Sequence, residues 1–180
     1  MNIRIHLFGR EGQSRALDFF LALCAGALLG FGCALFGASA SRHLTDTAAR
    51  AVLSSAAERS FFRCLLCSAA FPAALFAVTL LRRPFLVSAL FLLRGFMAVF
   101  FLSQFSLDLR FFLCAAGCLL FHFFLQIPLC LWAAASLSDY GLRSMPMPLR
   151  NRLLTFGTIS PIVCALGERF LLSRILHALI

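Results

Sequence analysis

The sequence predicts an all-α, polytopic transmembrane helix bundle of about five spans, with the N-terminus inside and the C-terminus outside. Three observations predict it. Of 180 residues, 62% are hydrophobic and only 13% charged. Apolar runs of membrane-crossing length recur along the whole chain, and most of the charges fall between them. A soluble domain carries about 25% charged residues and needs a polar surface that this composition does not supply. The mean hydropathy of +0.95 agrees. An ordinary soluble enzyme, a disordered chain and a nucleic-acid-binding domain are excluded on these grounds, and residues 1–180 read as one integral membrane domain whose surroundings are lipid.

The first apolar run is 17–40, preceded by Arg4, Arg10 and Arg15. Its end, Ala38-Ser39-Ala40, looks cleavable. The run is nevertheless far longer than the roughly 7–15 apolar residues of a signal peptide, so it is expected to remain as an anchor. Gly26, Gly30, Ala34 and Ala38 recur every four residues, which places a smooth stripe on one helix face, suited to close helix approach in lipid. An Ala-rich outer loop, 41–62, follows. It carries Arg50, Glu58 and Arg59 and is read as an interfacial helix, with Thr45 or Asp46 as its cap; a partner-docking surface is the other reading.

The second run is 64–81, followed by a tight loop at Arg82-Arg83-Pro84 and the third run, 85–105. The fourth, 111–137, is broken by Pro128. These runs meet the requirement of about 20 apolar residues for a span. The fifth, 153–180, contains Pro161, Glu168, Arg169 and Arg174. It reads either as one polar-centred span or as a shorter span followed by an interfacial helix.

All 16 basic residues other than histidine are Arg. If the spans alternate, Arg4, Arg10, Arg15, Arg82, Arg83, Arg143, Arg150 and Arg152 share one side. Arg42, Arg50, Arg59 and Arg110 share the other, with Arg63 at its margin, and are offset by Asp46, Glu58 and Asp108. The excess of arginine marks the cytoplasmic side. Asp18 is expected to pair with Arg15 or Arg82. The eight cysteines all lie in or beside apolar runs, and only Cys64 and Cys67 form a C-x-x-C. No second ligand pair has zinc-site spacing, so they are read as small apolar packing residues, with no metal or cofactor expected.

The informative residues are polar ones at mid-depth: Arg94 in the third run, His122 and Gln126 in the fourth, and Glu168 in the fifth. His122 and Gln126 are four apart and share a face. A charge at mid-bilayer costs at least about 2.5–3.5 kcal/mol, so such residues turn inward and find partners. Arg94 is expected to pair with Glu168, with His122 or Gln126 nearby. The cluster reads first as a device fixing helix register, and second as a substrate or proton pathway in a small transporter or permease subunit. No catalytic role is expected. Asp18 and Asp108 lie at opposite ends of the spans, and neither a Ser–His arrangement nor a zinc-protease motif is seen.

Three segments, in span order, resemble the stage II sporulation protein M family, five-span membrane proteins of endospore-forming bacteria. Leu92-Leu93-Arg94-Gly95-Phe96 resembles the Leu-Lys-Gly element of that family's third span. Gln126-Ile127-Pro128, followed by Leu129 and an Ala-rich stretch, is similar to its fourth span. Ala165-Leu166-Gly167-Glu168-Arg169-Phe170, with Ser173 after it, resembles the last-span pattern, and Glu168 takes the family glutamate's position. The chain departs from the family at Phe121-His122-Phe123, Val99 and Arg174. The resemblance implies a non-enzymatic scaffold in the mother-cell membrane that anchors the peptidoglycan-hydrolase complex of stage II sporulation proteins D and P during engulfment.

Overall fold

The computed structural model of the protein describes residues 10–36, 60–103 and 109–179, and within these every regular element is helical. The elements are α1 (Arg10–Phe36), α2 (Phe61–Leu80), α3 (Pro84–Ser103), α4 (Leu109–Phe121), a π-helical turn (His122–Gln126), α5 (Ile127–Ser144) and α6 (Met147–Leu179). Five stretches are long and apolar enough to cross a membrane: Ser14–Leu35, Phe61–Leu80, Pro84–Ser103, Ala115–Tyr140 and Met147–Phe170. The chain therefore has the architecture of a multi-pass membrane protein.

The helices outrun the apolar stretches that mark them. The second begins at Phe61 rather than residue 64, and the fourth continues to Ser144 rather than 137. Arg150 and Arg152, expected in a loop, sit in the first turns of α6, and only Met145 and Pro146 separate α5 from α6. Hydropathy reports the hydrocarbon-embedded part of a helix, whereas the helix itself carries on into the headgroup region. Prolines open two helices, Pro84 at the first position of α3 and Pro148 in the first turn of α6, where the missing N–H has no helical acceptor to lose. The fifth segment is a single helix of 33 residues, about 50 Å long at 1.5 Å per residue, of which Met147–Phe170 is the stretch apolar enough to cross a membrane. Residues 41–59 of the expected outer loop, with the interfacial helix read there, lie outside the described residues.

α1 and α3 form the most intimate pair. α1 buries Phe19, Leu23, Gly26 and Gly30, and α3 buries Val87, Phe91, Gly95 and Ala98, each a seam at spacings of three and four. A Cβ on Gly26 would run into the Leu92 carbonyl, one on Gly95 into the Leu23 carbonyl, and one on Gly30 would lie 2.5 Å from the Phe96 oxygen. These glycines let two backbones touch, which in lipid replaces the missing hydrophobic drive with dispersion contact. Ala34, further along the expected stripe, is only half-buried. At one end of the seam Phe19 meets Phe91 and at the other Gly30 meets Phe96 and Phe100, so α1 and α3 run parallel, as first and third spans of an alternating bundle must.

The remaining helices close around this pair. The main core joins Phe19 and Leu23 of α1, Leu75 of α2, Val87 and Phe91 of α3, and Ile127, Cys130 and Ala134 of α5. Phe91 is stacked on Phe19, with ring centres 5.7 Å apart, and meets Phe71 edge-on at 5.8 Å. At one end, Arg15 donates to the Ser138 carbonyl at 2.7 Å and pairs with Asp139 at 3.3 Å. Among the described residues, Asp139 rather than Asp18 is therefore the carboxylate that holds Arg15. The contact also fixes the start of α1 beside the end of α5.

The seam yields a graded expectation. Gly26→Ala and Gly95→Ala should each destabilise the protein by about 1–3 kcal/mol, the cost of overpacking. Gly32→Ala, whose Cβ would meet nothing within 4 Å, should be neutral or stabilising by up to about 1 kcal/mol from helix propensity. Unfolding of the purified variants in mixed micelles measures all three.

Candidate functional site

The polar centre is built on two prolines. Pro72 lies inside α2 and has no N–H to offer the carbonyl four residues back, that of Ser68. In hydrocarbon such a carbonyl needs another donor. The Gln126 side chain supplies it, its Nε2 donating to the Ser68 oxygen at 2.5 Å. Pro128, at the start of α5, sits just beyond the π-helical turn. Its ring would clash with the carbonyl of Phe124 in a regular α-helix, and a π turn is one of the known ways a helix accommodates such a break. The turn carries His122 and Gln126, and both are buried.

The hydrogen-bond network fixes the orientation of these groups. The Ser68 carbonyl only accepts, so the Gln126 amide nitrogen faces it and the Gln126 oxygen faces His122. His122 Nδ1 must then carry a hydrogen, donated to Gln126 Oε1 at 2.5 Å. The other ring nitrogen, Nε2, contacts Glu168 Oε1 on α6. A proton has to lie between them, either on the ring facing a carboxylate or on the carboxyl facing a neutral ring. Both placements leave the His122–Glu168 pair electrically neutral. One chain of contacts thus runs Ser68–Gln126–His122–Glu168 and ties α2, the π turn and α6 together.

Arg94 is brought to the same centre, but the expected Arg94–Glu168 ion pair is not what forms. Among the described residues Glu168 is paired with His122, and Arg94 makes no ion pair. The physical reason is connectivity. Gln126 orients the imidazole, and the oriented imidazole takes the carboxylate. The guanidinium lies over the Phe71 ring, 5.4 Å from its centre, within electrostatic range of Glu168, Cys130 and Cys164. Its Nε is buried without a hydrogen-bond partner. A cation–π contact contributes about 0.5–2 kcal/mol, less than the cost of about 2.5–3.5 kcal/mol for an arginine at mid-membrane. With the His122–Glu168 pair neutral, Arg94 leaves the centre one net positive charge.

All four polar residues singled out in the sequence, Arg94, His122, Gln126 and Glu168, therefore converge. Gly26, Gly30 and Gly95 lie in the α1–α3 seam, and Pro128 shapes the turn that presents His122 and Gln126. Ser68 and Pro72 were missed by sequence reasoning. The signal was present, since a proline inside an apolar run always leaves a carbonyl four residues back in search of a donor. Among the described residues no group of three or more His, Cys, Asp or Glu side chains is placed to hold a metal ion. Comparison of the chain with protein-family models, curated proteins and solved structures finds no match.

Gln126→Leu strips partners from both Ser68 and His122 and should cost about 1–3 kcal/mol per buried group left unsatisfied. Pro72→Ala restores an N–H within reach of the Ser68 carbonyl, so Gln126→Leu should cost less in that background. In double-mutant cycles, coupling between His122 and Glu168 should fall in the range of about 1–3 kcal/mol and exceed that between Arg94 and Glu168. Exchanging Arg94 and Glu168 should not rescue either single variant. Unfolding titrations in micelles read each value.

Proposed function

We propose that this protein is a non-enzymatic integral membrane scaffold. Following the resemblance to the stage II sporulation protein M family, it would anchor cell-wall hydrolases of the D and P type in a bacterial membrane during engulfment. The observation that carries the scaffold reading is the way the polar centre is used. His122 Nδ1 and the Gln126 oxygen are committed to each other within the π turn, and His122 Nε2 and the Gln126 amide nitrogen are committed across helices to Glu168 and the Ser68 carbonyl. Polar groups satisfied by one another across helices specify how spans dock, since breaking any contact strands a group in hydrocarbon. They are then not available to escort a solute. The family role rests on the sequence resemblance alone, most of all on Arg94-Gly95, Ile127-Pro128 and Glu168 at their depths.

A small transporter or permease subunit is the second reading. Arg94 favours it, as a mid-membrane cation whose Nε has no partner.

Gentle solubilisation followed by affinity capture should recover peptidoglycan hydrolases with the wild-type protein. His122→Gln should leave that recovery within about twofold, since an amide can donate and accept in place of the ring. Deleting the gene should arrest membrane migration around the forespore, seen by microscopy of the asymmetric septum. Normal engulfment would refute the family role. A solute flux abolished by His122→Ala in vesicles would favour the transporter.

A further inference from the structure

An apolar slot of about 300 Å³ opens between α2, α5 and α6. Its walls include Pro72 and Thr79 of α2, Cys130 and Trp132 of α5, and Leu153 and Gly157 of α6. Leu154 and Phe156, also in the lining, are exposed on the flank of the bundle, so the slot is open to the surrounding bilayer. A Cβ on Gly157 would meet nothing within 4 Å, which marks the opening. One end of the slot borders the polar centre, because its lining residues Ala69 and Pro72 lie beside Ser68, whose carbonyl Gln126 holds. The other end reaches Thr79, Leu137 and Leu153, where Leu137, Met145 and Leu153 pack together at the α5–α6 turn.

Arginines gather at that second end. Arg82 follows Thr79 by three residues, and its N–H bonds the Thr79 carbonyl at 3.0 Å. Arg82 and Arg83 are exposed, Arg152 is exposed, and Arg150 is half-buried just before Leu153. Of the carboxylates at this end, Asp139 is held by Arg15, and among the described residues Asp18 makes no ion pair with Arg82 or any other arginine. The result is an apolar groove in one leaflet with a cationic rim at the headgroup level. Basic pockets between spans are where anionic headgroups bind, since the arginines supply charge and the groove accepts the chain.

We infer that this slot is a binding site for an anionic phospholipid, with one acyl chain lying along α2, α5 and α6 and the phosphate held at Arg82, Arg83, Arg150 and Arg152. An aqueous metabolite does not suit an almost wholly apolar lining that opens toward hydrocarbon. An acyl chain does, and it is the molecule at highest concentration at the opening. The charge at the rim then selects among lipids. Each arginine near the surface is worth on the order of fivefold in affinity for an anionic headgroup.

Trp132 is the sole tryptophan of the chain and lines the slot, so the protein carries its own reporter. The full-length protein is reconstituted into phosphatidylcholine vesicles containing a small, equal mole fraction of either phosphatidylglycerol or phosphatidylcholine brominated on the acyl chain. Quenching of Trp132 by the brominated phosphatidylglycerol should exceed that by the brominated phosphatidylcholine at least about twofold, a conservative reading of that preference. The exposed double variant Arg82→Gln/Arg83→Gln should bring the two lipids toward parity without emptying the slot. Gly157→Phe, which fills the opening, should lower quenching by both. Equal quenching of the wild type by the two lipids would overturn the proposal, because Trp132 would then merely face bulk lipid. Quenching by neither would also overturn it, and would mean that a second copy or a partner helix covers the slot. So would a preference for phosphatidylglycerol that survives loss of both arginines.

Discussion

A carbonyl without a donor costs several kcal/mol in hydrocarbon, and Pro72 creates one at Ser68. Much of the centre of this protein follows from filling that vacancy. Gln126 reaches across from the π turn to donate its amide, which turns the other end of the same amide toward His122. The imidazole is thereby oriented toward Glu168 on α6. Three elements distant in sequence are set in register by one chain of polar contacts, and each link is directional. Dispersion contacts between apolar faces tolerate sliding; a sequence of donors and acceptors in a medium without water does not.

The molecule uses a different device where no polar group is available. Between α1 and α3 the glycines remove side chains so that backbones meet, and the gain is many small contacts rather than a few directed ones. The two devices share Phe91, which stacks on Phe19 of the glycine seam and meets Phe71 edge-on. Phe71 in turn carries the Arg94 guanidinium. Arg94 and Gly95, adjacent on α3, thus point to the two halves of the structure, one to the polar centre and one to the seam.

The number of spans and their approximate limits were legible in the sequence, because hydropathy over about 20 residues is a strong constraint. So was the convergence of Arg94, His122, Gln126 and Glu168, since mid-membrane polar residues have nowhere else to go. The pairing within the cluster was not legible. Formal charge made Arg94 and Glu168 look like the natural couple, whereas the outcome was decided by a neutral amide and a proline on a fourth helix, whose side chain does not advertise the carbonyl it exposes. Helix ends were also hidden, because residues such as Arg150 and Arg152 look like loop by hydropathy yet extend a helix into the headgroup region. The slot between α2, α5 and α6 was invisible for a related reason, since an apolar lining looks the same in sequence whether it is packed or open.

The 46-residue separation between His122 and Glu168 has a meaning for biogenesis. α6 carries Glu168 about two-thirds of the way along it and leaves the ribosome after the span that bears His122. A carboxylate alone in a nascent span opposes its partition into the bilayer. By then the span bearing His122 has already been made, and with it the group that neutralises that carboxylate. Chain order thus lets an earlier helix act as the receptor for a later one, so that lateral entry of the later span and its docking become a single event.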